Sequence, residues 1–314
     1  MPEHHVGTPR CDAVVLKTST GELHGSLRLP TEGSPTPAVV LVIAGSGPTD
    51  RDGNSTRIQA RNDSLKMLAQ ALAQAGVASL CYDKRGVAAS AAAASCEADL
   101  RFDTYVEDAA AWIHMLLADD RFASVFVFGH SEGSLVGMLA AKESSARAFI
   151  SVAGPGRRGS DVLRQQLAGL PEPGLVQANE AILSALEQGQ EVPAIPTALA
   201  SLYRPSVLPY LRSWFAHDPA QAFAVLGLPA LVVQGTTDLQ VGVPDALALR
   251  RAKPDAKLCV VQGMNHVLKM VPADPALQQA AYVDPSLPVA GEMVDAVLRF
   301  VATTPPRLRS PAPG

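Results

Sequence analysis

The chain has 314 residues, of which 47% are hydrophobic and 18% are charged, and its formal net charge is −4. A chain of this length can bury a large core, so we expect one large domain or two smaller ones. The scattered basic residues argue against nucleic-acid binding, and the lack of an apolar run of 18 residues argues against a membrane span. Without a signal-like N-terminus, the expected location is the cytoplasm. No cysteine or histidine spacing typical of a metal site is present, so we expect no metal.

Segments typical of strands and segments typical of helices alternate along most of the chain. Two strand-like segments come first, and the Ser-Thr-Gly turn between them favours an antiparallel pair. Residues 38–44 form a continuous apolar run, as expected for a strand that is covered on both faces. Residues 63–76 show helical periodicity and end at Gly76, a residue that often stops a helix. The continued alternation predicts an α/β protein with a mostly parallel, doubly wound sheet.

Residues 155–225 break this alternation. They contain helix-like segments and many prolines, but no apolar run typical of a buried strand. The second half of the segment holds four aromatic residues in a short space, namely Tyr203, Tyr210, Trp214 and Phe215. We predict that 155–225 is a helical cap whose aromatic residues shape an apolar substrate pocket; the alternative is a packing subdomain that completes the core. Residues 12–154 and 226–302 would then form the α/β core, and the Pro-rich tail at 303–314 is predicted to be disordered.

The segment Gly129-His130-Ser131-Glu132-Gly133 fits the pattern G-x-S-x-G between a predicted strand and a predicted helix. A nucleophile on so sharp a turn needs glycine two residues before and two residues after it, because strand and helix approach closely there. The start of the helix also favours negative charge, and its first free amide can bind an oxyanion. A serine that merely caps a helix needs no such glycines. We therefore expect Ser131 to be a nucleophile.

A serine hydroxyl is a weak nucleophile unless a base accepts its proton. His266 is the best placed of the seven histidines, because it follows the last predicted strand, at the edge where α/β sites form. His130 adjoins the serine in sequence, so we expect its side chain to leave on the other side of the turn and to be structural. Asp238 follows the preceding strand and can fix the tautomer of His266. Asp245 is a competing acid, although it falls in the following predicted helix.

With these residues in place, the sequence resembles the α/β-hydrolases, near the bacterial esterases and the serine-aminopeptidase-like hydrolases. The resemblance covers roughly residues 12–302. It is carried by five motifs: GHSEG, IAGSGPTDRDGN, YDKRG, GTTD and MNH. It implies the α/β-hydrolase fold and a triad of Ser131, Asp238 and His266, in the chain order typical of that fold. Relatives usually carry a second glycine after YDKRG, where this chain has Ala88.

The loop after the third strand carries the first oxyanion donor in the family. The resemblance transfers this role to the backbone N–H of Ser46, and Glu132 would supply the second N–H. The loop lacks the lysine of a P-loop and the third glycine of a dinucleotide-binding motif. Its Asp50, Asp52 and Asn54 resemble part of a calcium loop, but no glutamate follows at the required spacing. We expect these three side chains to hold the loop through turn-type hydrogen bonds.

The resemblance and the predicted triad together imply a serine hydrolase that cleaves small to medium acyl esters through an acyl-enzyme. Its partner would be a small-molecule acyl substrate, and it would need no cofactor; no oligomeric state is predicted. An alternative is the same chemistry on a peptide or a thioester. An aminopeptidase would need a cap carboxylate to hold the substrate amine. Four glutamates are available there: Glu172, Glu180, Glu187 and Glu191. A non-catalytic binding protein on the same fold is the less expected alternative.

Overall fold

The computed structural model describes residues 10–30, 36–57 and 61–305. Within them, a central sheet carries helices on both faces. The strands are β1 (Arg10–Thr18), β2 (Gly21–Leu29), β3 (Ala38–Ile43), β4 (Ala78–Tyr82), β5 (Ser124–His130), β6 (Ala148–Val152), β7 (Ala230–Gly235) and β8 (Lys257–Val261). The α-helices are α1 (Ser64–Gln74), α2 (Phe102–Leu117), α3 (Glu132–Lys142), α4 (Gly159–Leu167), α5 (Pro173–Glu187), α6 (Ala200–Tyr203), α7 (Leu208–Phe215), α8 (Pro219–Ala224), α9 (Val243–Ala252), α10 (Pro275–Ala281) and α11 (Gly291–Thr303).

The sheet is mostly parallel, as the alternation of strands and helices predicts. Its strand order is β1-β2-β4-β3-β5-β6-β7-β8, and β2 runs antiparallel to both of its neighbours. The predicted antiparallel opening pair is therefore confirmed. From β3 the chain moves first to β4 on one side and then to β5 on the other. This reversal leaves a crevice at the carboxyl ends of β3 and β5, which is where open α/β sheets bind their ligands.

Strand β3 explains why the continuous apolar runs become buried strands. Val39 and Leu41 pack into the core on one face of the sheet, while Val40 and Val42 pack into the core on the other. Successive side chains of a strand point to opposite faces, so a strand that is covered on both sides is apolar at every position. Helices α1 and α11 cover one face, and α2 and α3 cover the other.

Between β6 and β7, the described chain forms helices α4 to α8 and no strand, as the sequence predicts for 155–225. These helices share the core on the α2 and α3 face of the sheet. The ring of Trp214 in α7 stacks on Phe102 of α2, with centroids 6.3 Å apart. The division into a core of 12–154 and 226–302 and a separate cap stays a prediction.

The ends of the chain add two observations. Helix α11 runs to Thr303, so the first residue of the predicted disordered tail is helical; residues 306–314 lie outside the described residues. Of the helices in the described part of the chain, none is both long and apolar enough to cross a bilayer. The cytoplasmic location stays a prediction.

The loop after β3 is held in the way that the sequence predicts. The side-chain Oδ1 of Asp50 accepts hydrogen bonds from the amides of Asp52 at 2.9 Å and Asn54 at 2.8 Å. The side chain of Asn54 accepts in turn from the amide of Asp63 at 2.9 Å, just before α1. The predicted turn-type hydrogen bonds are confirmed for Asp50 and Asn54, and they fix the loop that carries Ser46; within the described residues the side chain of Asp52 makes no such bond.

Candidate active site

Ser131 lies between the end of β5 and the start of α3, in a backbone conformation that L-residues rarely adopt, with φ 55° and ψ −124°. A methyl group on Gly129 would lie 2.2 Å from the carbonyl oxygen of Gly133, and one on Gly133 would lie 2.4 Å from that of Ile43. Close packing therefore requires both glycines, as the G-x-S-x-G pattern predicts. Such backbone strain is found preferentially at functional sites.

His266 and Asp238 form a buried pair on the loops that follow the adjacent strands β8 and β7. Nδ1 of His266 lies 2.8 Å from Oδ2 of Asp238. Asp238 also accepts hydrogen bonds from Nε2 of Gln234 at 3.1 Å and from the amides of Gln240 and Val241 at 2.8 and 3.0 Å. Burial opposes ionisation of Asp238, but His266 and these amides outweigh it, so the pKa of the carboxyl is lowered. An ionised Asp238 can hold the His266 proton on Nδ1, which leaves Nε2 able to act as a base.

Ser131 and His266 line the same small pocket, which has a volume of about 130 Å³. No hydrogen bond joins their side chains within residues 10–30, 36–57 and 61–305. In unliganded enzymes such contacts often tighten only when the substrate binds. Ser131 and His266 are 135 positions apart in the sequence. The fold therefore brings two distant residues to one pocket.

His130 packs against His266, which corrects the expectation that its side chain leaves on the other side of the turn. The two ring centroids are 5.1 Å apart, and Nε2 of His130 donates to the carbonyl oxygen of His266 at 2.8 Å. Burial, with a smaller effect from His266, lowers the pKa of His130 to about 4, so this imidazole is neutral at pH 7. Its contact supports the backbone of His266, in line with the expected structural role.

The competing acid, Asp245, lies at the start of α9 and has its own partner. Its two carboxylate oxygens accept from Nε and an Nη of Arg157 at 3.0 and 3.1 Å. The amide of Gly156 donates to the same carboxylate at 3.1 Å. Asp245 therefore serves a structural ion pair, and the carboxylate on His266 is that of Asp238.

The backbone amides of Ser46 and Glu132 border Ser131. A methyl group on Gly45 would lie 3.2 Å from Cβ of Ser131, so the loop after β3 reaches the serine directly. Glu132 is the first residue of α3, and the amides of a first helical turn have no acceptor within the helix. In the described part of the chain, neither amide donates to another protein atom. Both are therefore free to bind an oxyanion.

Lys84, in the motif YDKRG, is a site residue that the sequence reasoning missed. Its fully buried Nζ donates to the carbonyl oxygen of Gly45 and lies 3.5 Å from Oε1 of Glu132. Burial lowers the pKa of the Lys84 ammonium, and the Glu132 carboxylate opposes this effect. The one available signal was a lysine two residues after a strand that is buried throughout. Its two partners lie 39 and 48 residues away, so no local pattern identifies them.

A second, larger cavity of about 460 Å³ also reaches Ser131. Much of its wall is apolar and comes from α4 and α7, including Leu163 and Leu211. Two of the four predicted pocket aromatics, Tyr210 and Trp214, line it.

The other two predicted pocket aromatics do not line this cavity as far as the described residues define it. The hydroxyl of Tyr203 donates to the side chain of Asn179, and its ring is fully buried. Phe215 is also buried and packs against the ring of Trp214, with centroids 5.7 Å apart. These two residues stabilise the helices of 155–225, as the packing alternative expects.

Comparisons with known proteins agree with this architecture. Est1E from Butyrivibrio proteoclasticus, solved with ferulic acid bound, has a TM-score of 0.61 at 19% identity, over 93% of this chain and 99% of that one. A puromycin-hydrolysing peptidase from Mycobacterium tuberculosis has a TM-score of 0.57 at 19% identity, over 96% of this chain and 40% of that one. The chain thus has the α/β-hydrolase fold, as predicted.

At the level of sequence, residues 61–170 match the model of the serine aminopeptidase family. The chain is also 28% identical over 251 residues to esterase EstD of Thermotoga maritima. That match covers 78% of this chain and 58% of the length of the esterase. The predicted resemblance to bacterial esterases and serine-aminopeptidase-like hydrolases is confirmed.

Proposed function

We propose that the chain is a serine hydrolase that cleaves carboxylic esters. The main support is the buried His266–Asp238 pair, joined at 2.8 Å, in which His266 lines a pocket that the strained Ser131 also lines. Ser131 attacks the substrate carbonyl while His266 accepts its proton, and the amides of Ser46 and Glu132 stabilise the oxyanion. His266 then protonates the leaving alcohol. Water attacks the acyl-enzyme in the same way and releases the acid.

The two pockets at Ser131 suggest how the substrate lies. Within the described residues, His266 lines the small pocket and not the large one. Because the group that protonates the leaving alcohol must contact it, the alcohol occupies the small pocket. That pocket also exposes the polar side chains of Thr49, Asn62 and Gln240. The acyl chain then occupies the larger, apolar cavity, which fits small to medium acyl groups on small alcohols.

The surroundings of the cavity favour esters over aminoacyl substrates. In the described structure, none of the four cap glutamates lines the cavity, and Glu180 and Glu187 both pair with Arg164. The carboxylates that do line it are Glu97 and Glu132, and each faces a cation of the protein. No carboxylate on the described wall is thus free to hold a substrate amine. The similarity to EstD also supports ester cleavage.

A substrate comparison tests this proposal. p-Nitrophenyl esters from acetate to dodecanoate are assayed beside aminoacyl arylamides, with the native protein and with Ser131→Ala. We expect the native protein to hydrolyse the esters far faster than the arylamides, and Ser131→Ala to be inactive on both. A preference for arylamides would favour the aminopeptidase alternative. Equal rates for the native protein and Ser131→Ala would refute the mechanism.

A further inference from the structure

Lys84 links Glu132 to the peptide unit that carries the N–H of Ser46. Its ammonium donates to the carbonyl of Gly45 and lies 3.5 Å from the carboxylate of Glu132. The carbonyl of Gly45 and the N–H of Ser46 belong to one peptide unit, which is planar and trans, so they point in opposite directions. A donor fixed on that carbonyl therefore sets the direction of the Ser46 N–H. We propose that Lys84 is a positioning residue for the oxyanion hole; this inference rests on the proposed hydrolase function.

The surroundings of Lys84 make this contact strong. The side chains of Lys84 and Glu132 are each 2% exposed. Where water is excluded, a hydrogen bond from a charged donor is stronger and polarises the group that accepts it. The ammonium on Gly45 O therefore withdraws electron density from the peptide and makes the N–H of Ser46 a better donor.

The same surroundings offset the cost of burying a charge. An isolated ammonium in an apolar interior is costly, and the Glu132 carboxylate reduces that cost. The ring of Tyr105 adds a cation–π contact, with Nζ 5.3 Å from its centroid. Glu132 thus has two tasks: its amide faces the oxyanion, and its side chain holds the lysine that orients the other amide.

The position of Lys84 predicts which kinetic step depends on it. Negative charge on the substrate oxygen develops fully only in the transition state, so a correctly aimed N–H contributes mainly to turnover and little to substrate binding. A lysine that served stability alone would change unfolding without changing kcat per folded active site.

The test compares two variants with the native protein. The first is Lys84→Met. The second is Lys84→Met/Glu132→Gln, which leaves no unpaired carboxylate buried in the site. The control is Lys253→Met, since Lys253 is also buried but lies beside the amino end of β7, at the opposite edge of the sheet. Active sites are titrated to completion with a fluorophosphonate, so rates refer to folded enzyme. We expect kcat of both Lys84 variants to fall about 10- to 100-fold. This is no more than the fall in kcat caused by removing one whole oxyanion donor, which is about 100- to 1,000-fold. KM stays within about twofold.

A second measurement distinguishes an effect on the orientation of the Ser46 N–H from an effect on protein stability. An alkyl boronic acid forms a tetrahedral adduct with the serine and places an oxygen in the oxyanion hole, so its Ki should rise by a factor similar to the fall in kcat. Lys253→Met should lose stability but keep both kcat and Ki. Unchanged kcat per active site and unchanged Ki in the Lys84 variants would overturn the proposal. If Lys84→Met does not fold, the double variant decides alone. A native protein that neither reacts with the probe nor cleaves esters would instead refute the proposed function.

Discussion

In the proposed mechanism, the carboxylate of Asp238 accepts a hydrogen bond from Nδ1 of His266 and so fixes its tautomer. Asp238→Asn keeps the shape of the side chain but removes the acceptor that holds the His266 tautomer. We expect kcat/KM for esters to fall by on the order of 10⁴-fold, with an unchanged circular dichroism spectrum. Asp245→Asn is the matched control, because Asp245 binds Arg157 and should affect stability without affecting rate. If the Asp245 variant lost activity and the Asp238 variant kept it, the acid would be misassigned.

His130 predicts how stability depends on pH. Its pKa is about 4 in the folded protein against an ordinary 6.5, so between these pH values the unfolded chain binds more protons. The protein therefore loses stability as the pH falls from about 6.5 to about 4, by on the order of 3 kcal/mol from this group.

Urea unfolding of the native protein and of His130→Gln across this pH range measures the effect. The variant is less stable at pH 7 because it loses the bond to the His266 carbonyl, but its stability should fall less on acidification. Parallel curves for the two proteins would show that His130 titrates normally. The rate of ester cleavage at pH 7 should fall far less in His130→Gln than in His266→Ala.

Single residues show where sequence reasoning succeeds. Ser131 was predictable because close packing at the turn demands glycines that are visible in the sequence. The proximity of Asp238 and His266 was predictable because both follow buried strands, and parallel strands end at one edge; their catalytic roles stay predictions. Lys84 could not be predicted, because its acceptor is a backbone carbonyl, which leaves no trace in the sequence.

The turn after β4 ties three elements together through the three charged residues of YDKRG. Asp83 pairs with Arg51 in the loop after β3, with the closest atoms 2.6 Å apart. Arg85 donates from Nε to Asp108 of α2 at 2.9 Å. Lys84 lies between them and contacts Gly45. All three motif residues are buried, so this short turn fixes the loop that borders Ser131.

Ala88 follows this turn and has a backbone conformation that favours glycine. Its φ is 44°, in the left-handed region that disfavours a Cβ atom. We expect Ala88→Gly to raise the free energy of unfolding by roughly 0.5–1 kcal/mol. The change relieves the backbone strain, and this gain exceeds the loss caused by the greater entropy of the unfolded chain. Chemical denaturation measures it. Ala89→Gly is the control: Ala89 is also exposed but has an ordinary φ, so this variant should be less stable than the native protein. Destabilisation by both changes would contradict the explanation.

At the scale of elements, periodicity predicted the strands and most helices, although not α10. It did not predict which face of each helix in 155–225 meets the cavity. Trp214 and Phe215 are adjacent in α7, so their side chains point about 100° apart around the helix axis. One therefore faces the cavity and the other the core. Composition identified the aromatic cluster, but the rotation of the helix is set by packing against α2, which no local pattern shows.

For the molecule as a whole, the different positions of Trp214, which lines the cavity, and Phe215, which packs in the core, predict how acyl chains are selected. Trp214→Ala enlarges the cavity, and each further buried methylene of the substrate contributes about 0.8 kcal/mol, so the preferred p-nitrophenyl ester should shift to longer chains. Phe215→Ala should lower stability by about 3–5 kcal/mol and leave the ranking of esters unchanged. The ratio of kcat/KM values along the ester series is the measurement. An unaltered ranking in Trp214→Ala would mean that acyl chains do not occupy this cavity.

The central claim is that the strained serine at the carboxyl edge of the sheet is a nucleophile activated by His266. Intact-protein mass spectrometry after treatment with a fluorophosphonate, followed by peptide mapping, tests it most directly. We predict one adduct per chain, on Ser131, formed rapidly by the native protein and at least about a thousandfold more slowly by His266→Ala. Ser131→Ala should take up no label. An unlabelled native protein, or an adduct on another residue, would contradict the account.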